Sequence, residues 1–480
     1  MSLLSWVSMD LPSDHNESQA EEKDRLSALP DDMLLNILER LPVHNVVQAS
    51  TLSRRWRHLP LMLTRLVFHI NEFMQCSTTR TVGKVMASYC EATKKLLASA
   101  SAIKDLRLIF YLAESCHLHS IGQAVGNAVQ SGNIEFLEFS IWPEIRGTIC
   151  TDEHLMSFGR RFMSFLDACP HTFRWLKSII LRKLEFGDAD MPTILNTCDK
   201  LQALTLHSCQ LSQIDSVLKI DAPSSQLMVL KFIRCYFGHV ELVCLPQLTY
   251  LVYDTWLSVN PPVRFGYVPR LHNIRVASAL LFCQIPFTLS GCLSNARNLT
   301  YLHLDFHDEM VWFQPEDPKK LVPLFSNLKV VHLCNIFADC DLKWTLLFLE
   351  AAPSLDSFYI KISRHICGRY KHACADNAKK TNVLWEASNF KHYNLSSLDI
   401  KGFEKEEKLI NYIKLVMERA VALRKIHLHD KENCKQCGYI NMQAPLPISS
   451  KFPNNEGENN LIRKMLTNGS SSSPTEIIIG

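Results

Sequence analysis

Glycine is scarce in this chain, 16 residues in 480, which excludes collagen-like sequence and long flexible linkers. Surplus charge is scarce as well. Lys+Arg total 51 against 48 Asp+Glu, a net of +3, so no overall field draws the protein toward nucleic acid or a membrane surface. No apolar run is long enough to span a bilayer, because Ala277–Leu289 is broken by Gln284 and Pro286. The short apolar stretch Leu3–Val7 has no basic region before it and runs into the acidic segment Asp10–Glu22, so no secretory signal is expected. Also absent are G-x-S-x-G, H-E-x-x-H, a P-loop and G-x-G-x-x-G, and no catalysis is expected from the chain.

What is present is a hydrophobic fraction of 47% beside 21% charged residues, enough to bury a sizeable core. The length predicts at least two units or one elongated array. Seventeen cysteines without an export route read as a reduced, intracellular protein whose thiols act mostly as small buried hydrophobes. The sequons at Asn298, Asn394 and Asn468 would then carry no glycan.

Four segments are expected: a polar, acidic leader over 1–23, a helical block over 24–65, a repeat region over 66–403, and an α/β cap over 404–480. In the helical block, Pro30 with Asp31 and Asp32 opens a helix, and Leu34, Ile37, Leu38 and Leu41 recur at helical spacing. Pro42 ends that helix, Val43–Thr51 makes a second with Val46, Val47 and Ser50 inward, and Leu52–Arg57 starts a third. Three short helices in about forty residues make a marginal unit that leans on a partner or on the next domain.

Beyond it the pattern Leu-x-x-Leu-x-Leu, with other aliphatics or Phe allowed, recurs twelve times from Ile103/Leu106/Leu108 to Leu423/Ile426/Leu428. Within each unit the last two apolar positions alternate along a short strand and point to one face. Segments such as Lys343–Glu350 would return the chain as helices, so the expected class is α/β, an irregular solenoid of parallel strands inside and helices outside. Cys209 and Cys235 fall three residues after their strands' last apolar position, where a small polar side chain can satisfy turn backbone. In the cap, Glu404–Ala422 is an amphipathic helix with Leu409, Ile413, Val416 and Ala420 on one stripe. A helix around Leu461–Leu466 and a closing strand over Glu476–Ile479 complete it.

The block from Asp24 to Pro60, with Leu29-Pro30-Asp31, Leu41-Pro42, Val46-Val47 and Leu52-Ser53-Arg54-Arg55-Trp56-Arg57, resembles an F-box of the version common in plants. It continues His58-Leu59-Pro60 where such domains often carry an aromatic residue. The repeats and tail, including Ile426–Asp430, Cys434-Lys-Gln-Cys437 and the Ser-rich end, resemble plant F-box/leucine-rich-repeat proteins with a C-terminal FBD-type region. The resemblance implies binding to a Skp-family adaptor and, through it, to a cullin-RING ubiquitin ligase, with the solenoid presenting a protein substrate. The implied adaptor-binding residues are Leu29, Pro30, Leu34, Ile37, Leu38, Leu41, Pro42, Val46, Val47, Leu52 and Trp56. Periodicity alone does not separate the leucines that pack the three helices from those that face outward.

His427, His429, Cys434 and Cys437 have zinc-compatible spacing, but a single CxxC is a weak signal, and packed or surface side chains are the simpler expectation. No metal and no cofactor are therefore expected. Arg54, Arg55 and Arg57 and the scattered lysine pairs do not make the continuous basic stripe of a nucleic-acid reader. Two functions share these features: a substrate receptor of a ubiquitin ligase, and an adaptor-bound scaffold or ligand sensor that causes no degradation. The strand residues expected on the concave face, Thr205, Lys231, Val252, Arg275, His303 and His332, show no single chemical theme that would identify a substrate.

Overall fold

A computed structural model describes residues 26, 28–74, 81–99, 102–144, 150–213, 216–256, 261–277, 287–307, 311–364, 385–386, 388–431, 451–467 and 475–480. The chain forms two units, 1–212 with 225–227, and 213–224 with 228–480.

The first unit begins with three short helices, α1 (Asp31–Leu38), α2 (Val43–Ala49) and α3 (Arg54–His58). Pro30 precedes α1 with extended backbone, and Asp31 and Asp32 sit in its positive first turn. Ser53 caps α3 by accepting from the Trp56 backbone N–H at 3.3 Å. Leu34, Leu38, Val46, Trp56, Leu59 and Leu63 pack into one small core. So small a core gains from docking, and two carboxylates tie it to the repeat that follows. Glu39 Oε1 accepts from Thr64 N at 2.9 Å, Thr64 Oγ1 at 2.6 Å and Arg65 N at 3.2 Å. Glu72 Oε2 accepts from the His44 backbone N–H at 2.9 Å. Burial would raise the Glu39 carboxyl, but these hydrogen bonds hold it below its ordinary value.

Five parallel strands follow in sequence order: Arg65–His69, Asp105–Tyr111, Phe136–Trp142, Ser178–Arg182 and Ala203–His207. Helices return the chain between most of them. In Ser115–Gln130, for example, Leu118, Ile121, Val125 and Val129 supply the buried stripe. Thr151 and His154 form a reciprocal capping box at the start of Asp152–Ala168. Phe165 and Phe173 meet edge to face, with centroids 4.9 Å apart at 75°.

The second unit carries nine parallel strands in sequence order, beginning with Val229–Ile233, Tyr250–Asp254, Asn273–Ala277, Tyr301–Asp305 and Val330–Phe337. Ser357–Ser363, Ser397–Lys401, Lys425–His429 and Glu476–Ile479 complete the sheet. Two continuous ladders line the core. One runs Leu230, Leu251, Ile274, Leu302, Val331, Phe358, Leu398, Ile426, Ile477, and the other starts at Phe232 and ends at Ile479. Beside the strands Trp256, Trp312 and Trp344 are fully buried, with Trp256 and Trp312 edge to face at 5.1 Å.

All twelve repeats read from the sequence are strands of these sheets, with three features beyond that reading. A further strand, Arg65–His69, precedes them, because Leu63, Leu66 and Phe68 already follow the repeat spacing. Phe139, the last apolar position of its unit, stands opposite Ile179, the middle one of the next, a register slip of two residues that keeps the same face inward. The returns are also not all helical: Val217–Asp221, His239–Cys244 and Val263–Tyr267 form a three-stranded parallel sheet. In the connection 234–249 Val240 and Leu242 alternate at the period of a strand.

A turn recurs at the strand ends. Lys183, Ser208, Arg234, Thr255 and Gly402, each directly after a strand, all have positive φ. The next residue, Leu184, Cys209, Cys235, Trp256 or Phe403, is then buried. The left-handed residue reverses the chain and turns its successor inward. Lys183 N donates to His207 O at 2.9 Å and Gly402 N to His429 O at 3.0 Å, which locks each turn to the next strand. Cys209 Sγ reaches the Leu181 carbonyl at 3.7 Å, the small-residue role expected of it.

Candidate functional site

Two surfaces carry side chains that folding alone does not use. The first is the outer side of the three-helix block. Met33, Ile37 and Leu41 follow one another at four-residue spacing along and just past α1, all exposed, and Leu52 before α3 is 73% exposed. Leu26, Leu61 and Met62 are exposed as well. Seven of the seventeen exposed large hydrophobics among the described residues therefore fall between positions 26 and 62. Scattered exposed leucines are ordinary, but this density sets the block apart as a candidate interaction surface. Arg55 holds its edge in shape, donating to Asp31 Oδ1 at 2.8 Å and to the Leu29 carbonyl at 2.5 Å.

Of the eleven residues expected to face an adaptor, Pro30, Ile37, Leu41, Pro42 and Leu52 are exposed, and Leu29 and Val47 are half-buried. Leu34, Leu38, Val46 and Trp56 are corrected to internal packing: they are 0–6% exposed and form the block's own core. The reason is geometric. On α1 the stripe through Leu34 and Leu38 faces α2 and α3, so the stripe through Met33 and Ile37 must face away. Met33, Leu61 and Met62 were missed, and Met33 was findable as the residue four before Ile37.

The second surface is the outward row of the second unit's strands. Lys231, Val252, Arg275, His303, His332, Tyr359, Asp399 and His427 stand side by side in register. Its middle is an imidazole–phenol cluster. Tyr301 Oη lies 3.4 Å from Nδ1 of both His303 and His332, and the His332 ring is 4.8 Å from that of Tyr359. Burial, aided by the neighbouring His303, pushes the His332 imidazole down to about 4. Asp305 behind it accepts from His307 N at 3.0 Å and Asn335 Nδ2 at 2.8 Å. Burial works against the Asp305 charge, yet the His303 imidazole 4.0 Å away, the His307 side chain and the Asn335 and His307 N–H donors hold the carboxyl down to about 2. Near neutral pH the His332 imidazole is therefore uncharged, and Asp305 stands behind it as a fixed anion. Only with Tyr301 and Tyr359 alongside does His303 with His332 acquire a common chemical character. Thr205 belongs to the first unit, and Val252 is itself buried.

His427 and His429 lie on one side of their strand, half-buried, opposite Asp399 and Lys401. Cys434 and Cys437 lie outside the described residues. No described helix is long and apolar enough to cross a membrane.

Three short helices docked on parallel-strand repeats define an F-box/leucine-rich-repeat protein. The family model described as "At1g61320/AtMIF1, LRR domain" matches residues 162–460, and the F-box domain model matches residues 26–66. The chain belongs to that leucine-rich-repeat family and is a plant-type F-box/LRR protein with an FBD-type region. An Arabidopsis thaliana F-box/FBD/LRR-repeat protein, At5g22670, is 23% identical over 434 residues, 85% of this chain and 90% of its own. The FBD-associated F-box protein At5g56370 of the same plant is 28% identical over 346 residues, covering 70% and 74%. F-box/LRR-repeat protein 25, also from Arabidopsis thaliana, is 29% identical over 190 residues, covering 39% and 69%.

Proposed function

We propose that this chain is a non-catalytic substrate receptor of an SCF-type cullin-RING ubiquitin ligase. In this reading its F-box binds a Skp-family adaptor, and the outward strand row of the second unit receives a protein substrate. The exposed apolar density between Leu26 and Met62 carries the reading, since a block with so small a core has no internal use for it. Ile37, Leu41 and Leu52, with Met33 added, form the centre of the adaptor face, and Leu29, Pro30, Pro42 and Val47 its margin. Such a helical face suits a hydrophobic groove.

Exchanging Leu41 and Leu52 for Asp tests this, because both side chains are exposed and the fold does not need them. Each large apolar group buried at an interface contributes roughly 1.5–3 kcal/mol. Co-purification with a Skp-type adaptor should therefore weaken about a hundredfold or more, with melting unchanged. Undiminished adaptor binding by the folded double variant would remove this face from the proposal. Ubiquitination of a captured partner by the reconstituted complex separates a degradative receptor from a scaffold.

A further inference from the structure

The strand Ser397–Lys401 runs parallel to Lys425–His429, with Asp399 across from His427 and Lys401 across from His429. Side chains at alternate positions share a face, so Asp399, His427 and His429 converge. We infer that these three residues form a binding site for one divalent transition-metal ion of the zinc type. The inference holds whether or not the chain serves a ligase.

The distances carry it. One ligand atom from each residue lies within 4.8 Å of the other two. Asp399 Oδ1 is 3.6 Å from His427 Nδ1 and 3.9 Å from His429 Nε2. Those separations are too long for hydrogen bonds. They exceed the ~3.3 Å edge of a tetrahedron with bonds of about 2.0–2.1 Å by only about 0.3 and 0.6 Å. Side-chain rotation that closes these two gaps, and the His427–His429 separation of no more than 4.8 Å, completes the geometry around an ion.

The remaining polar atoms orient the set. Ser397 Oγ donates to Asp399 Oδ2 at 2.9 Å, which leaves Oδ1 for the ion. His429 Nδ1 lies 2.9 Å from the Gly480 backbone oxygen, an acceptor that places the imidazole proton on Nδ1 and the lone pair on Nε2. His427 Nε2 has no hydrogen-bond partner, so His427 is the least firmly oriented of the three. Lys401 contributes a like charge nearby, which the ion must outweigh. Two imidazoles and one carboxylate suit Zn²⁺, Co²⁺ or Ni²⁺ better than Mg²⁺ or Ca²⁺. Three protein ligands leave a coordination position for water or for a carboxylate, imidazole or thiol of a bound protein.

The test strips the full chain with chelator and titrates it with Zn²⁺ and, separately, Co²⁺. One ion per chain should bind, and Zn²⁺ should raise the melting temperature. The Co²⁺ form should show visible bands of nitrogen and oxygen ligation without near-ultraviolet thiolate bands. Asp399→Asn, His427→Gln and His429→Gln should each weaken binding more than tenfold. Ser397→Ala, which touches no ion, should cost about tenfold as an orienting partner. A Cys434→Ser/Cys437→Ser variant should bind as the parent does. Should a ligand variant fail to fold, Ser397→Ala and the parent's thermal shift decide. Absence of stoichiometric uptake, uptake unaltered in Asp399→Asn and His429→Gln, or thiolate bands lost with the cysteine pair would each overturn the assignment.

Discussion

A single backbone angle recurs through the repeats and shows what one residue contributes. Lys183, Ser208, Arg234 and Thr255 accept the strained left-handed region so that the next side chain can turn into the core. Gly402 fills the same role at φ +77, but there a Cβ would lie 2.3 Å from the Ile362 carbonyl oxygen. Gly402→Ala should therefore cost more than the ~1–3 kcal/mol of left-handed strain alone. Ser208→Gly, at a position already built for a side chain, should change stability by no more than about 1 kcal/mol. Thermal melting of the two variants checks the contrast. His332 makes a second residue-scale prediction. Its folded value of about 4 lies below the ordinary 6.5, because burial and His303 disfavour the imidazolium. A depressed folded value means the contribution is complete above pH 6.5 and is lost as pH falls toward 4. His332→Gln should flatten the acid-side decline in melting temperature between pH 6.5 and 4, and an unchanged slope would show that other groups control it.

Arg364 joins elements that strand pairing alone leaves loosely held. It follows the strand Ser357–Ser363 with its side chain 8% exposed, donating through Nε to Gly402 O at 3.0 Å and through Nη1 to Glu406 Oε1 at 2.6 Å. Glu404 stands 3.4 Å from the same Nη1. One guanidinium thus fixes the loop that leads into the helix Glu407–Arg419. Burial would raise the Glu406 carboxyl, and the Arg364 hydrogen bond instead holds it down. That contribution is present above the ordinary carboxylate range and is lost as pH falls through the lowered folded value. Arg364→Met keeps the stem but leaves two partly buried carboxylates uncompensated, an expected loss of about 2–3 kcal/mol. Denaturant unfolding of the second unit measures it, and a neutral result would mean the carboxylates rehydrate freely.

The second unit ends at Glu476–Ile479, whose Ile477 closes the inner ladder. Arg463, from the helix Glu456–Thr467, donates to the Ile477 carbonyl at 3.2 Å and so occupies part of that edge. Deleting 404–480 would leave Ser397–Lys401 as a bare edge beside the uncovered Leu398 and Ile400. The truncated protein should aggregate, while any soluble fraction should keep the adaptor binding proposed for the F-box, which lies in the other unit. Light scattering with adaptor pull-down checks this; a monodisperse truncation would show that the repeats need no cap.

Residue pattern alone determined the class of the molecule. Twelve Leu-x-x-Leu-x-Leu units each became a parallel strand because period-two burial leaves a short apolar segment no other stable partner than its neighbour. The three helices, too, follow from their apolar spacing and prolines. Tertiary structure decided the rest. Leu34 and Ile37 look alike in a helical stripe, and only the packing of α2 and α3 sends one inside and leaves the other out. The left-handed turns were illegible because Lys, Ser, Arg and Thr fill them in place of glycine. The Asp399–His427–His429 cluster was illegible for a different reason. Its carboxylate is far from the histidines along the chain, and only strand register makes them neighbours.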